Sequence, residues 1–182
     1  MPFYQFENRI PRWGQGTFIA DSALIIGDVR VGKHVYVGHG VILRGDYGTI
    51  IVGDKSAIEE GAIIHARSGE QTVVGKSVTV GHGAMIHNAH IKDFAVIGMR
   101  ATISDYSEVG KWAIIGEMGL VKNSQHIPDN SVAVGIPAKV IRKIDQKQKD
   151  FWGYGKELYV EMAQRYNTPG AFKQICPPDL LQ

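Results

Sequence analysis

The chain has 182 residues, with 20 Lys and Arg against 18 Asp and Glu, for a formal charge of +2. That balance argues against nucleic acid or an anionic membrane as a partner. Cys176 is the single cysteine, so an intrachain disulfide and a cysteine zinc site are excluded, and a passive thiol near the tail is expected.

The first ten residues, Met-Pro-Phe-Tyr-Gln-Phe-Glu-Asn-Arg-Ile, contain no basic segment followed by an apolar one. Apolar runs stay short along the whole chain, so no membrane span is expected and a soluble cytoplasmic protein is the expectation. The length suits one domain with a terminal appendage.

Aliphatic residues recur with a period of six. Ile19, Ile25 or Ile26, Val31, Val37 and Leu43 form a first series, then Val52, Ile58 and Ile64, then Val74, Val80 and Ile86. Ile91, Ile97, Ile103, Val109, Ile115, Val121 and Ile127 continue it. Two steps are longer: Leu43 to Val52 carries three extra residues and Ile64 to Val74 carries four. Small or β-branched residues such as Val41, Ala62, Ala84, Ala101 and Ala113 lie four positions after many of these aliphatics. A helix repeats near 3.6 residues and a strand at 2. A period of six fits short strands joined by tight corners, with Gly, Asn or Asp at the corners. Three such strands make one triangular coil, and coils stack about 4.8 Å apart. The pattern predicts an all-β solenoid, a parallel β-helix of hexapeptide repeats.

The repeat ends near Val134-Gly-Ile-Pro-Ala-Lys-Val-Ile141. Residues 143–166 then turn polar, with apolar residues at helical spacing: Phe151, Tyr154, Leu158 and Met162 on one line, Tyr159, Ala163 and Tyr166 on another. Gly153 and Gly155 weaken a helix around them, so 156–166 is its most secure part. Asn167-Thr-Pro-Gly170 stops it. The division read from this is a β-helix domain over 1–141, with a helix and irregular tail over 142–182 packed on it.

Three histidines interrupt the apolar pattern: His65, His82 and His87. With the insertions discounted, Leu43, Ile64 and Ile86 occupy one face in successive coils. Arg44, His65 and His87 each follow one of these aliphatics, so they point outward from that face, one coil apart. His82 falls near a corner. One chain thus offers His65 and His87 side by side, and a trimer in which His82 of a neighbour meets them would complete a three-nitrogen set. His34, His39 and His126 read as surface polar groups, with His90 a candidate supporting group.

Leu43-Arg-Gly-Asp46, Ile64-His65, Val80-Gly-His-Gly-Ala-Met-Ile-His-Asn88, Ile97-Gly-Met99 and Val134-Gly-Ile-Pro-Ala-Lys139 resemble the gamma-class carbonic anhydrase family over residues 10–141. The last of these segments is shared with hexapeptide acyltransferases. The resemblance implies a left-handed β-helix with a C-terminal α-helix. It also implies zinc, or iron or cobalt, held at the interfaces of a homotrimer by His65 and His87 of one chain and His82 of another. Arg44 and Asp46 match residues that stabilise the interface and site, and as residues alone they read as a structural salt bridge. For Arg44, Asp46 or Glu60 would be a carboxylate partner across the interface. Tyr159 matches a tyrosine that reaches the metal pocket, and as a residue alone reads as a packed helix aromatic. The chain departs from the family at Glu59, where many members have glutamine, at Ala57 for asparagine, and at Tyr47 for an acidic residue. The loop at 66–70 is short.

The activity implied is reversible hydration of CO2 to bicarbonate, that of a carbonate dehydratase, a zinc-dependent lyase. Zinc on three histidines brings a bound water to a pKa of about 7, and Glu59 is a candidate to orient that water or accept its proton. The departures leave metal binding intact and imply a modest rate. Two rival readings stand beside it: a hexapeptide-repeat acyltransferase using a histidine base and coenzyme A, and a non-catalytic metal-binding trimer.

Overall fold

In the computed structural model, which describes residues 2–173, the chain is a left-handed parallel β-helix followed by one α-helix. Cys176 and the expected tail lie outside the described residues. Three inward columns of side chains build the core. The first is Ile25, Leu43, Ile64, Ile86, Ile103 and Val121, each in register with the next. The second is Val31, Val52, Val74, Ile91, Val109 and Ile127. The third is Ile19, Val37, Ile58, Val80, Ile97, Ile115 and Ala133. Most are fully buried, and each large aliphatic contributes about 1.5–3 kcal/mol in being withdrawn from water.

The register settles the ambiguous position: Ile25 is inward and buried, Ile26 only half-buried. The first series therefore keeps steps of six from Ile19 through Ile25 to Val31. The first two columns share one 12-stranded sheet, because Leu24–Val31 and Ile42–Val52 run continuously across two faces. They bend where Gly27, at φ +75°, lies against Gly45; a Cβ on Gly27 would meet the Gly45 carbonyl oxygen. The third column lies on an 8-stranded sheet that closes with the antiparallel pair Ser131–Val134 and Lys139–Lys143.

The corners differ from expectation. Phe94, Arg100, Tyr106, Trp112, Met118, Ser124 and Asn130 all sit at φ between 55° and 62°, a region that disfavours side chains. At one pair of these corners the side chains stack: the rings of Phe94 and Trp112 lie 4.8 Å apart and nearly parallel. The corners of Phe94, Trp112 and Asn130 are also tied by bonds from backbone N–H groups to aspartate side chains. Asp54, Asp93 and Asp129 each accept the N–H of a lysine one coil earlier, Lys33, Lys76 and Lys111, at 2.8 Å.

Helix α1 spans Gln146–Tyr166, longer than its most secure predicted part. Asp145 caps it by accepting from the Gln148 N–H. Gly153 and Gly155 face open space, so they cost no packing. Lys156, Val160 and Ala163 are buried against the solenoid, and Tyr159 and Tyr166 pack with Phe18 and Tyr36. Among the described residues no helix is long and apolar enough to cross a membrane.

Candidate metal centre

Arg44, His65 and His87 stand in register on one face. Nδ1 of His65 and Nε2 of His87 lie 3.0 Å apart. The other nitrogen of each ring meets a carboxylate. His65 Nε2 is 3.2 Å from Asp46 Oδ1, and His87 Nδ1 bonds Asp105 Oδ1. An ionised carboxylate only accepts, so these outer nitrogens carry protons. The two inner nitrogens then face each other, a pair that a shared proton or a metal ion can bridge. Nitrogens held 2.0–2.1 Å from one tetrahedral zinc lie roughly 3.3 Å apart, so this pair fits a shared metal.

The electrostatics agree with a neutral His65 ring. Burial pushes His65 below the ordinary histidine value, against the upward pull of Asp46, and Arg44 and His87 add to the drop. Burial would raise the Asp46 carboxyl, but the Arg44 bond and the His65 bond outweigh it and hold it low. Arg44 Nη1 donates to Asp46 Oδ2 at 2.7 Å. Its partner is thus within the same chain, because residues two apart on an extended strand share a face.

His82 lies elsewhere, at the corner beside the 8-stranded sheet. Its Nδ1 is 2.8 Å from Glu60 Oε2, and Tyr36 donates to the other Glu60 oxygen at 2.7 Å. Glu59 is buried, with Oε2 at 3.2 Å from His82 Nε2 and 3.1 Å from its backbone N–H. Tyr159 stands next to Glu59; burial and then the Glu59 charge push its phenol upward, so it stays protonated. Glu59, His82 and Tyr159 border an apolar groove of about 460 Å³, with Val96, Ile97 and Trp152 among its walls. The structure therefore divides the predicted residues in two: Arg44, Asp46, His65 and His87 on one face, Glu59, His82 and Tyr159 on another. Among the described residues no group of three or more His, Cys, Asp or Glu side chains is set to hold a metal alone.

Asp105 escaped the sequence reading, as did Arg67, whose Nη1 donates to it at 2.9 Å. A signal existed: Asp105 follows His87 by 18 residues, one full coil. The reading of His90 as a supporting group is corrected. His90 aligns with Val73 and Glu108 on a different face, because the corner at Asn88 turns the chain away. His39 is no plain surface group either, since it bonds Ser22 at 2.9 Å and lies against Tyr166 and Phe172.

No family model matches the chain. The carnitine operon protein CaiE of Salmonella agona is 33% identical over 168 residues, 92% of this chain and 85% of its own length. Gamma carbonic anhydrase 2, mitochondrial, of Arabidopsis thaliana is 35% identical over 176 residues, 92% of this chain and 63% of its own. The chain belongs to the gamma-class carbonic anhydrase family. Among solved structures, a Bacillus cereus protein described as a candidate acetyltransferase superposes with a TM-score of 0.88 at 34% identity, covering 90% of this chain and 95% of that one. Proteins named as a carbonic anhydrase, a carnitine operon protein and an acetyltransferase thus resemble this chain.

Proposed function

We propose that the chain is a cytoplasmic homotrimeric lyase that hydrates CO2 reversibly to bicarbonate, with one divalent metal held by His65 and His87 of one copy and His82 of a neighbouring copy. Zinc is the first choice, with iron or cobalt as alternatives. The observation that carries the reading is the pair of facing nitrogens at 3.0 Å, each backed by a carboxylate on its far side. Such carboxylate partners orient metal-binding imidazoles. A zinc ion at this position supplies Lewis acidity at neutral pH.

The chain's own residues supply the rest. Arg44 holds Asp46, and Asp46 holds the His65 ring. Glu60, steadied by Tyr36, holds His82. Glu59, beside the second His82 nitrogen, takes the proton that hydration releases, and Tyr159 keeps a neutral phenol against it. The apolar walls of the groove admit CO2 and exclude bulk water.

Two surfaces support assembly. An outward column of Ile42, Ile63, Met85, Thr102 and Leu120 runs in register beside His65 and His87, with Met85 44% exposed. The groove beside His82 is the other apolar surface, and its rim residue Met99 is 43% exposed. Column against groove is a heterologous contact, the kind that closes into rings.

Acyl transfer is the second reading. It is favoured by the groove volume, which exceeds what CO2 needs, and by the likeness to the Bacillus cereus structure. Metal analysis, light scattering and stopped-flow CO2 hydration on one preparation separate the readings. A metal-bound trimer with hydration activity is expected. A metal-free protein that binds coenzyme A would overturn it in favour of acyl transfer, and a metal-bound but inactive trimer would leave a binding role alone.

A further inference from the structure

Each ring nitrogen can face a metal only if the ring is held in the right tautomer and orientation. For His65 that hold comes from the preceding coil, where Asp46 sits with its own arginine two residues away. For His87 it comes from the following coil. Asp105 lies one coil beyond it, with its side chain only 15% exposed. One Asp105 oxygen bonds His87 Nδ1 and the other accepts from Arg67 Nη1 at 2.9 Å. Arg67 is itself anchored. Its backbone N–H donates to the Oδ1 of Asn88 at 3.2 Å, and the Asn88 N–H donates to the His65 carbonyl at 3.1 Å. Asn88 is buried, so the loop after His65 and the corner after His87 are clamped to one another. Thr72 adds a second bond to the same carbonyl at 2.6 Å.

We propose that Asp105, held by Arg67, is the positioning residue that keeps the His87 proton on Nδ1 and turns Nε2 toward His65. The proposal rests on the metal reading for its purpose, and on the hydrogen bonds of this chain alone for its geometry. The carboxylate cannot donate, so its contact with Nδ1 permits only the tautomer with the proton there. An asparagine in its place can donate its amide hydrogen to Nδ1 and so stabilise the opposite tautomer, with Nε2 protonated and unable to bind metal. Arg67 acts one step further out. It fills the second Asp105 oxygen and fixes the carboxylate plane, as a guanidinium does at a charge-assisted pair. Arg67 thereby couples the short loop after His65 to the orientation of His87, so two ligands separated in sequence respond together.

The test uses the full chain, labelled with ¹⁵N at histidine, at about pH 8.5, where an ordinary histidine is neutral. Long-range proton–nitrogen correlation of the metal-free protein reads the His87 tautomer directly. Chelator competition then reads zinc affinity. Wild type is expected to carry the proton on Nδ1. Asp105→Asn is expected to move it to Nε2 and weaken zinc roughly 10- to 100-fold, the usual effect of losing such a partner. Asp105→Glu should restore the tautomer and part of the affinity, which a merely structural role would not produce. Arg67→Gln should weaken zinc in the same direction by less. Circular dichroism checks that each variant is folded, and Arg67→Gln serves if Asp105→Asn is not. A wild-type His87 protonated on Nε2, or Asp105→Asn binding zinc as tightly as wild type, overturns the proposal. If wild type takes up no zinc, the metal reading falls, while the tautomer still decides the role of Asp105.

Discussion

Lys156 is a buried amine that the proposed chemistry does not use, and replacing it should stabilise the protein. It lies on helix α1 with 5% exposure. It donates to Thr79 Oγ1 at 3.0 Å and to the Ala95 carbonyl at 3.2 Å, both neutral acceptors. Burial pushes the amine from 10.5 down to about 7, and the Glu59 charge only partly opposes this. At about 1.4 kcal/mol per pH unit, that drop makes the charged form cost roughly 4–5 kcal/mol at this site. Between about 7 and 10.5 the unfolded chain binds a proton that the folded chain does not, so stability rises with pH across that window. Below about 7 both states are protonated and the cost stays at its maximum. Lys156→Met removes the titration and forfeits two neutral hydrogen bonds of about 1 kcal/mol each. The variant should therefore be more stable than wild type by about 2–3 kcal/mol at pH 7, and the gain should vanish or reverse toward pH 10.5. Urea unfolding at fixed protein concentration, at several pH values between these limits, measures it. Parallel pH profiles for the two proteins, or a variant less stable at pH 7, would refute the reasoning.

Four further outcomes are expected. His65→Ala, His82→Ala and His87→Ala should each lose most of the bound metal by elemental analysis, while His126→Ala should keep it; full occupancy in His87→Ala would contradict the ligand set. CO2 hydration should be modest and rise with imidazole buffer, because Tyr47, with a reference pKa of about 10, is a poor proton relay; Glu59→Gln should lower the rate further, and stopped-flow kinetics read both. Ile86→Ala, in the middle of the first inward column, should cost about 2–5 kcal/mol in urea unfolding. Ser124→Gly, at an exposed corner with φ 57°, should raise the melting temperature slightly by relieving up to about 1 kcal/mol of backbone strain.

The fold was legible because its rule is short-ranged. A six-residue period decides which side chains point inward, and it places His65 and His87 on one face and His82 at a corner. The same rule allowed Arg44 to be stacked with the two histidines, as the register bears out. Corner chemistry was less legible: Gly, Asn and Asp were expected at positive φ, yet Phe94 and Trp112 occupy such corners. Their ring stacking is a contact between successive coils, which local preference does not encode. The same limit hid the partners of the candidate ligands, whereas the extent of helix α1 was legible, with helical spacing over 143–166 and a helix at Gln146–Tyr166. Asp105 and Arg67 are 38 residues apart, and a period says which face a residue occupies but not which atom its side chain meets. Those meetings follow from how the coils stack and from the rotamers the stacking leaves open, so the division of the site between two faces of one chain was decided only by the tertiary structure.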